Sequence, residues 1–224
     1  MNTTDSVPQT SSLLRDYGMT VLAAVLVALL IRNFMLEAYR IPTATMRPTL
    51  EAGDTIFVAK WPYGLHLPFW DRPFIKGRKP HYGEVVIYAR LDDPGRESVK
   101  RVAGLPGDQI QIKEGRLSIN GKDVSHANQP TDACGEETLP SGSHPVCWDP
   151  PHPRNYSTVI PEGHVFVIGD ERTEQPDPKL NPVWNVVPFS ALRGEALWVW
   201  LSIEPNRGSP FSRIRFERML RRIH

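Results

Sequence analysis

Proline recurs in this chain so often that few long helices can form in it: 22 prolines and 16 glycines stand in 224 residues. Each proline fixes its own φ, lacks an N–H and pushes the preceding residue toward extended geometry, so the pattern specifies many turns and short extended segments. A mostly β fold class follows. The exception is N-terminal. Residues 17–31 carry no charge and 21–31 are apolar on every side. Extended to Leu36, the segment is about 20 residues long, the length that crosses ~30 Å of hydrocarbon. The reading is a single transmembrane helix over 17–36, preceded by a short cytoplasmic leader at 1–16. The rival is a cleaved signal peptide, against which no small-x-small pair follows the apolar run before Arg32. Local charge does not orient the segment, because Arg15 stands with Asp5 and Asp16 on one side while Arg32, Arg40 and Arg47 lie on the other.

The remaining residues, 37–224, suffice for one domain with its own core. Strands are expected at 55–59, 85–89, 98–103, 109–112, 116–119, 164–168 and 196–201, separated by turn signals such as Gly53-Asp54, Asp92-Asp93-Pro94-Gly95 and Asn120-Gly121, which makes an antiparallel meander. Residues 61–82 read as an irregular loop whose aromatics suit either a lipid headgroup layer or a satellite core. Residues 125–158 read as an irregular insertion, with Cys134 and Cys147 as a possible disulfide clasp outside the cytosol. The tail from 211 carries five arginines and reads as a solvated basic end or a lipid-facing one. With 26 Lys+Arg against 25 Asp+Glu, a general nucleic-acid binder is disfavoured. The scattered histidines and the two cysteines lack metal-site spacing, so neither metal nor cofactor is expected.

For chemistry the sequence offers Thr43 and Thr45, held between Pro42 and Pro48 in a stiff non-helical segment just beyond the apolar stretch. A hydroxyl nucleophile needs a base. No Ser-His-Asp spacing or HExxH pair exists here. A lysine serves when burial lowers its pKa, and Lys100 sits in an apolar-flanked strand, where it is the best placed; the alternative is a lysine that merely snorkels.

Several separated boxes then agree. Arg32-Asn33-Phe34, Ile41-Pro42-Thr43-Ala44-Thr45-Met46-Arg47-Pro48-Thr49-Leu50, Gly53-Asp54, Tyr82-Gly83-Glu84-Val85-Val86, Lys100-Arg101-Val102-Ala103-Gly104-Leu105-Pro106-Gly107-Asp108 and Gly169-Asp170-Glu171-Arg172 occur in order. Together they resemble bacterial type I signal peptidases, membrane-anchored endopeptidases with a Ser/Lys dyad that remove signal peptides from exported proteins. The resemblance covers roughly residues 30–120 and 160–224. It implies a β-rich catalytic domain of coiled antiparallel sheets on the outer face of the membrane, with signal peptides of preproteins as partners. By position, Thr45 would be the nucleophile and Lys100 the general base, with Thr43 joining the Thr45 N–H in the oxyanion hole. Asp170 with Arg101 and Asp177 with Lys179 would form two supporting ion pairs, and substrate would bind as an added strand.

The departures are specific. Thr45 replaces the family's serine, adding a methyl that restricts χ1, and Ala44 replaces a glycine. Gln175 stands where a serine hydrogen-bonds the lysine, and Lys179 stands where the family has arginine. These changes leave a second reading, a catalytically silent or specialised paralogue that binds signal peptides without cleaving them efficiently.

Overall fold

The computed structural model describes residues 10–66, 73–93, 95–113, 116–124, 134–147, 155–172, 184–204 and 213–223, and within these the side chains of 10–14, 28–34, 65–66 and 73–76 are not described. One helix, α1 (Thr10–Phe34), precedes a chain of short strands. These are β1 (Leu36–Arg40), β2 (Asp54–Ala59), β3 (Gly64–His66), β4 (Pro73–Lys76), β5 (Val85–Ala89), β6 (Glu97–Gly104), β7 (Gln109–Lys113), β8 (Arg116–Ile119) and β9 (Lys122–Asp123). They continue as β10 (Cys134–Leu139), β11 (Gly142–Cys147), β12 (Tyr156–Val159), β13 (His164–Ile168), β14 (Trp184–Pro188), β15 (Leu192–Ser202) and β16 (Arg221–Arg222). The main sheet runs β1-β2-β15-β5-β6-β13-β14, with β16 added to β15. A smaller sheet runs β12-β7-β8-β9. Every paired strand is antiparallel to its neighbour.

The mostly β class expected from the prolines is therefore the one observed, and β5 and β13 occupy the expected residues. Among the described residues, three apolar clusters hold the sheets. Ile41, Met46, Leu50, Val85 and Val99 belong to one, Val86, Val102, Val165 and Val167 to a second, and Ala103, Ile110, Leu117 and Phe166 to a third beneath the smaller sheet. Alternation along β6 sends Val99 to the first cluster and Val102 to the second, so the charged residues between them, Lys100 and Arg101, leave the strand on opposite faces.

Several expectations are corrected. The helix starts at Thr10, inside the segment assigned to the leader, and ends before Leu36, which already pairs with Ala59. Among the described residues no helix is long and apolar enough to cross a membrane. The uninterrupted apolar run is short, with Asp16 and Thr20 before it and Arg32 and Asn33 after it. The insertion at 125–158 is not irregular where it is described. Cys134 and Cys147 face each other across the hairpin β10–β11 and are disulfide-bonded, and Tyr156–Val159 adds β12 to the smaller sheet. The loop at 61–82 contains the short hairpin β3–β4, and Tyr63 is buried while Trp61 remains exposed. Ionic partners draw the tail inward, so that Arg218 is buried and Arg215 is largely so.

Candidate active site

Thr45 lies in the loop between β1 and β2. The loop's ends are tied by Ile41 N–H to Asp54 O at 2.8 Å and Gly53 N–H to Ile41 O at 2.9 Å. Inside it, the Arg47 and Leu50 N–H groups donate to the Ala44 and Met46 carbonyls, so the segment turns on itself instead of running extended as the two prolines suggested. Burial of Ile41, Met46 and Leu50 explains the difference: the loop hangs from the core by three apolar side chains. Thr45 is buried and Thr43 exposed.

Lys100 reaches the same place from β6. It is 1% exposed, and its Nζ has no hydrogen-bond partner among the described residues. Its strand partner is Val86 and its face also carries Val102, so the amine sits among apolar groups. Burial pulls it down from the ordinary 10.5 to about 7; Asp170 opposes this and Arg172 adds to it. Gly169, just past β13, joins lysine and loop. A Cβ built there would lie 2.6 Å from the Thr45 carbonyl O and 3.1 Å from Lys100 Nζ, so any side chain at 169 would collide with the loop and crowd the amine. Glu171 N–H donates to the Thr45 carbonyl at 3.3 Å, fastening the loop to the same turn. The expected hydroxyl-to-amine hydrogen bond is not made, although both residues converge on one backbone turn.

Asp170 anchors that turn. Its carboxylate accepts Arg101 Nε at 2.8 Å and Nη2 at 2.7 Å, together with the Thr49 hydroxyl at 2.5 Å, while Arg101 Nη1 donates to Gly83 O at 2.8 Å. Burial alone would raise the Asp170 carboxyl, but the Arg101 guanidinium overrides it and holds the group below the usual carboxylate range. A bidentate, fully buried pair of this kind fixes direction as well as distance. The expected Asp170–Arg101 pairing is thus present in the structure. Gln175, Asp177 and Lys179 lie outside the described residues.

Sequence reasoning missed two supports. The hairpin β10–β11 contributes Glu137 to the Arg172 guanidinium and brings His144 to within 3.8 Å of Asp170. The tail contributes Arg218, whose Nη2 donates to the Thr49 carbonyl at 3.1 Å and to Asp54 at 2.7 Å. Arg215 pairs with Glu51 and with Asp54. Charge counting showed arginines in the tail but no hint of their partners, which are some 160 residues away in sequence.

The arrangement is a hydroxyl-bearing loop clamped against a dehydrated lysine by an Asp/Arg-anchored turn. The signal peptidase, peptidase S26 family matches residues 14–201. The chain belongs to that family. S26 signal peptidases cleave signal peptides from secreted proteins. Similar relatives include signal peptidase I of Pseudomonas aeruginosa, 33% identical over 208 residues, covering 85% of this chain and 73% of the relative. Signal peptidase I of Pseudomonas fluorescens is 32% identical over the same shares, and that of Rickettsia conorii is 30% identical over 80% of this chain and 76% of its own. A solved signal peptidase I from Enterococcus faecalis overlays 53% of this chain and 97% of that one, with a TM-score of 0.36 at 19% identity. The S26 match takes in the Thr45 loop, Lys100 and the Gly169–Arg172 turn, and ends before the tail that carries Arg215 and Arg218.

Proposed function

We propose that this S26 peptidase cleaves signal peptides with Thr45 as nucleophile and Lys100 as general base, at the outer face of a membrane that receives α1. The observation that carries the dyad is the buried Lys100 amine, without a hydrogen-bond partner among the described residues and brought to about 7 beside the Thr45 loop. A neutral amine takes the Thr45 proton as Oγ1 attacks the scissile carbonyl. The carbonyl oxygen becomes an oxyanion that the Thr45 N–H and the exposed Thr43 hydroxyl stabilise, a contribution of ~3 kcal/mol per donor. The protonated lysine gives its proton to the leaving amine. The neutral base then activates water, which releases the threonyl ester.

Lipid association of α1 is supported by its surface. Arg15 to Val27 are all exposed, including Tyr17, Met19, Val21, Leu22, Val25, Leu26 and Val27 on every side of the helix. A helix apolar all round and uncovered by protein requires an apolar surround.

The missing hydroxyl-to-amine contact favours the second reading, a paralogue that holds signal peptides without efficient turnover. Cleavage of a signal-peptide substrate by the detergent-solubilised chain separates them. Turnover by the parent that is lost in Thr45→Ala and in Lys100→Met supports the dyad. Tight peptide binding without turnover selects the silent reading, and turnover that survives Lys100→Met removes the dyad.

A further inference from the structure

The hairpin β10–β11 supplies nothing to the reaction outlined above, yet it approaches the base from behind. Glu137 is fully buried and receives Arg172 Nη1 at 2.9 Å and Nη2 in a parallel pair. Arg172 Nε donates to the Gly169 carbonyl at 2.6 Å. The backbone repeats the attachment: Arg172 N–H donates to Cys147 O at 2.6 Å, and Cys147 N–H donates to Asp170 O at 2.8 Å. Cys147 is bonded across the hairpin to Cys134, and Glu137 stands directly opposite His144, which fills the space between Glu137 and Asp170. Both hairpin strands therefore hold residues 169–172, one by a carboxylate and one by backbone.

We propose that Glu137 is a positioning residue for the Lys100 base, fixing the Gly169 backbone over the amine through Arg172 and so keeping water from it. A carboxylate buried on a two-stranded hairpin is costly to keep, and its pairing stabilises little relative to an apolar substitute. What the pair supplies here is direction, because a bidentate guanidinium cannot turn without breaking two hydrogen bonds. Solvent is close at hand. Arg101 and His144 form part of the wall of an open cavity of about 210 Å³, with Tyr82, Gly83, Ser143 and Glu195 on its other sides. Releasing residues 169–172 uncovers the amine that the Gly169 backbone closes off. Asp170 and Arg172 act on Lys100 from the turn after β13. Behind them Arg101, His144 and Glu137, together with Glu171 and its partner Arg47, are the charged and titratable groups around that turn among the described residues, and His144 stays neutral because burial, with Arg101, draws it to about 4.

Two mechanisms predict opposite signs. If Glu137 acts through position, its loss wets the amine and raises the Lys100 midpoint toward the ordinary lysine value. If Arg172 stays in place and only its charge counts, the uncompensated guanidinium lowers the midpoint further. The proposal rests on Lys100 being the base, so the test has a readout independent of cleavage. The full chain with ¹³C-labelled lysine is titrated in detergent micelles by NMR, with the Lys100 signal assigned through Lys100→Arg, for the parent, Glu137→Gln, Glu137→Asp and Arg172→Lys. Cleavage of a signal-peptide substrate is measured in parallel. Glu137→Gln should move the midpoint up by about one pH unit, lower kcat near pH 7 about fivefold, leave KM within about twofold, and regain kcat at higher pH. Glu137→Asp, which keeps a carboxylate for Arg172, should retain much of the parent's behaviour, and Arg172→Lys, which lacks the Nε donor to Gly169, should reproduce the glutamine effect. An unmoved or lowered midpoint in folded Glu137→Gln overturns the proposal, as does a normal midpoint in Arg172→Lys should the glutamine variant fail to fold. A raised midpoint in Glu137→Gln, with a parent that never cleaves, leaves the positioning role standing and removes the dyad.

Discussion

Lys100 illustrates how burial decides chemistry at the scale of one side chain. Asp170 favours the ammonium, yet desolvation outweighs it and the amine falls to about 7. The pH dependence of activity follows, and kcat should rise through an apparent midpoint near 7 and level off above it, a limb absent from Lys100→Met. Stability follows the same group with a definite sign. Between about 7 and 10.5 the unfolded chain holds a proton that the folded chain lacks, so stability rises with pH across that window, and the full cost of burying the lysine is present below it. Lys100→Met should therefore abolish turnover while raising Tm by about 5 °C at pH 6, a gain that vanishes above pH 10.5 in a pH series of melting curves. Thr45→Ser removes the methyl that limits χ1 and should raise kcat several-fold at unchanged KM. The roles proposed for Thr45 and Lys100 came from a motif, and the burial of Lys100 was legible as an apolar-flanked strand position. The part of Gly169 was not legible, since a glycine before an aspartate signals a turn and says nothing of two atoms pressed against it from distant segments.

Among the elements, those built from apolar residues were readable and those built from polar residues were not. Val85–Ala89 and Val165–Ile168 are continuous apolar runs, and both lie in strands over the expected residues. β10 reads Cys-Gly-Glu-Glu-Thr-Leu and β11 contains Pro145, so composition pointed to loop. The hairpin forms because its side chains find partners elsewhere: Leu139 and Val146 are buried, Glu137 pairs with Arg172, and the disulfide joins the two ends. The tail follows the same logic, with Arg218 buried against Asp54 and Ser202 donating to the same carboxylate. Burial alone would raise the Asp54 carboxyl, but the hydrogen bond from Arg218 leads the groups that hold it low. Removing one partner of such a pair leaves a buried charge, so Arg218→Ala should cost about 3–5 kcal/mol in denaturant unfolding. Opening the hairpin is a separate loss. Cys134→Ser with Cys147→Ser, which frees a loop of sequence separation 13, should lower stability by about 3 kcal/mol on the chain-entropy account. A change much below 1 kcal/mol would mean that the ion pair and backbone bridges hold the hairpin unaided.

At the scale of the whole molecule, two parts follow different rules. The β-domain buries its apolar residues in three clusters and ties its charged ones into pairs, whereas α1 presents apolar side chains outward along its described length. The helix is 25 residues long, ~37 Å at the ordinary rise, yet its apolar stretch is shorter than its length and is flanked by charged or polar residues. Such a helix gains from hydrocarbon what it cannot gain from water, at roughly 25 cal/mol per Å² of apolar surface covered. Among the described residues, the domain's own clusters draw no side chain from it. Deleting residues 1–34 should accordingly leave the domain's melting temperature within about 2 °C of the parent while moving the protein from the membrane pellet to the supernatant. High salt should not release the parent, because apolar contact is not screened, whereas detergent should. Release by salt alone would assign the attachment to charges such as Arg221 and Arg222, which are exposed on β16, and not to the helix.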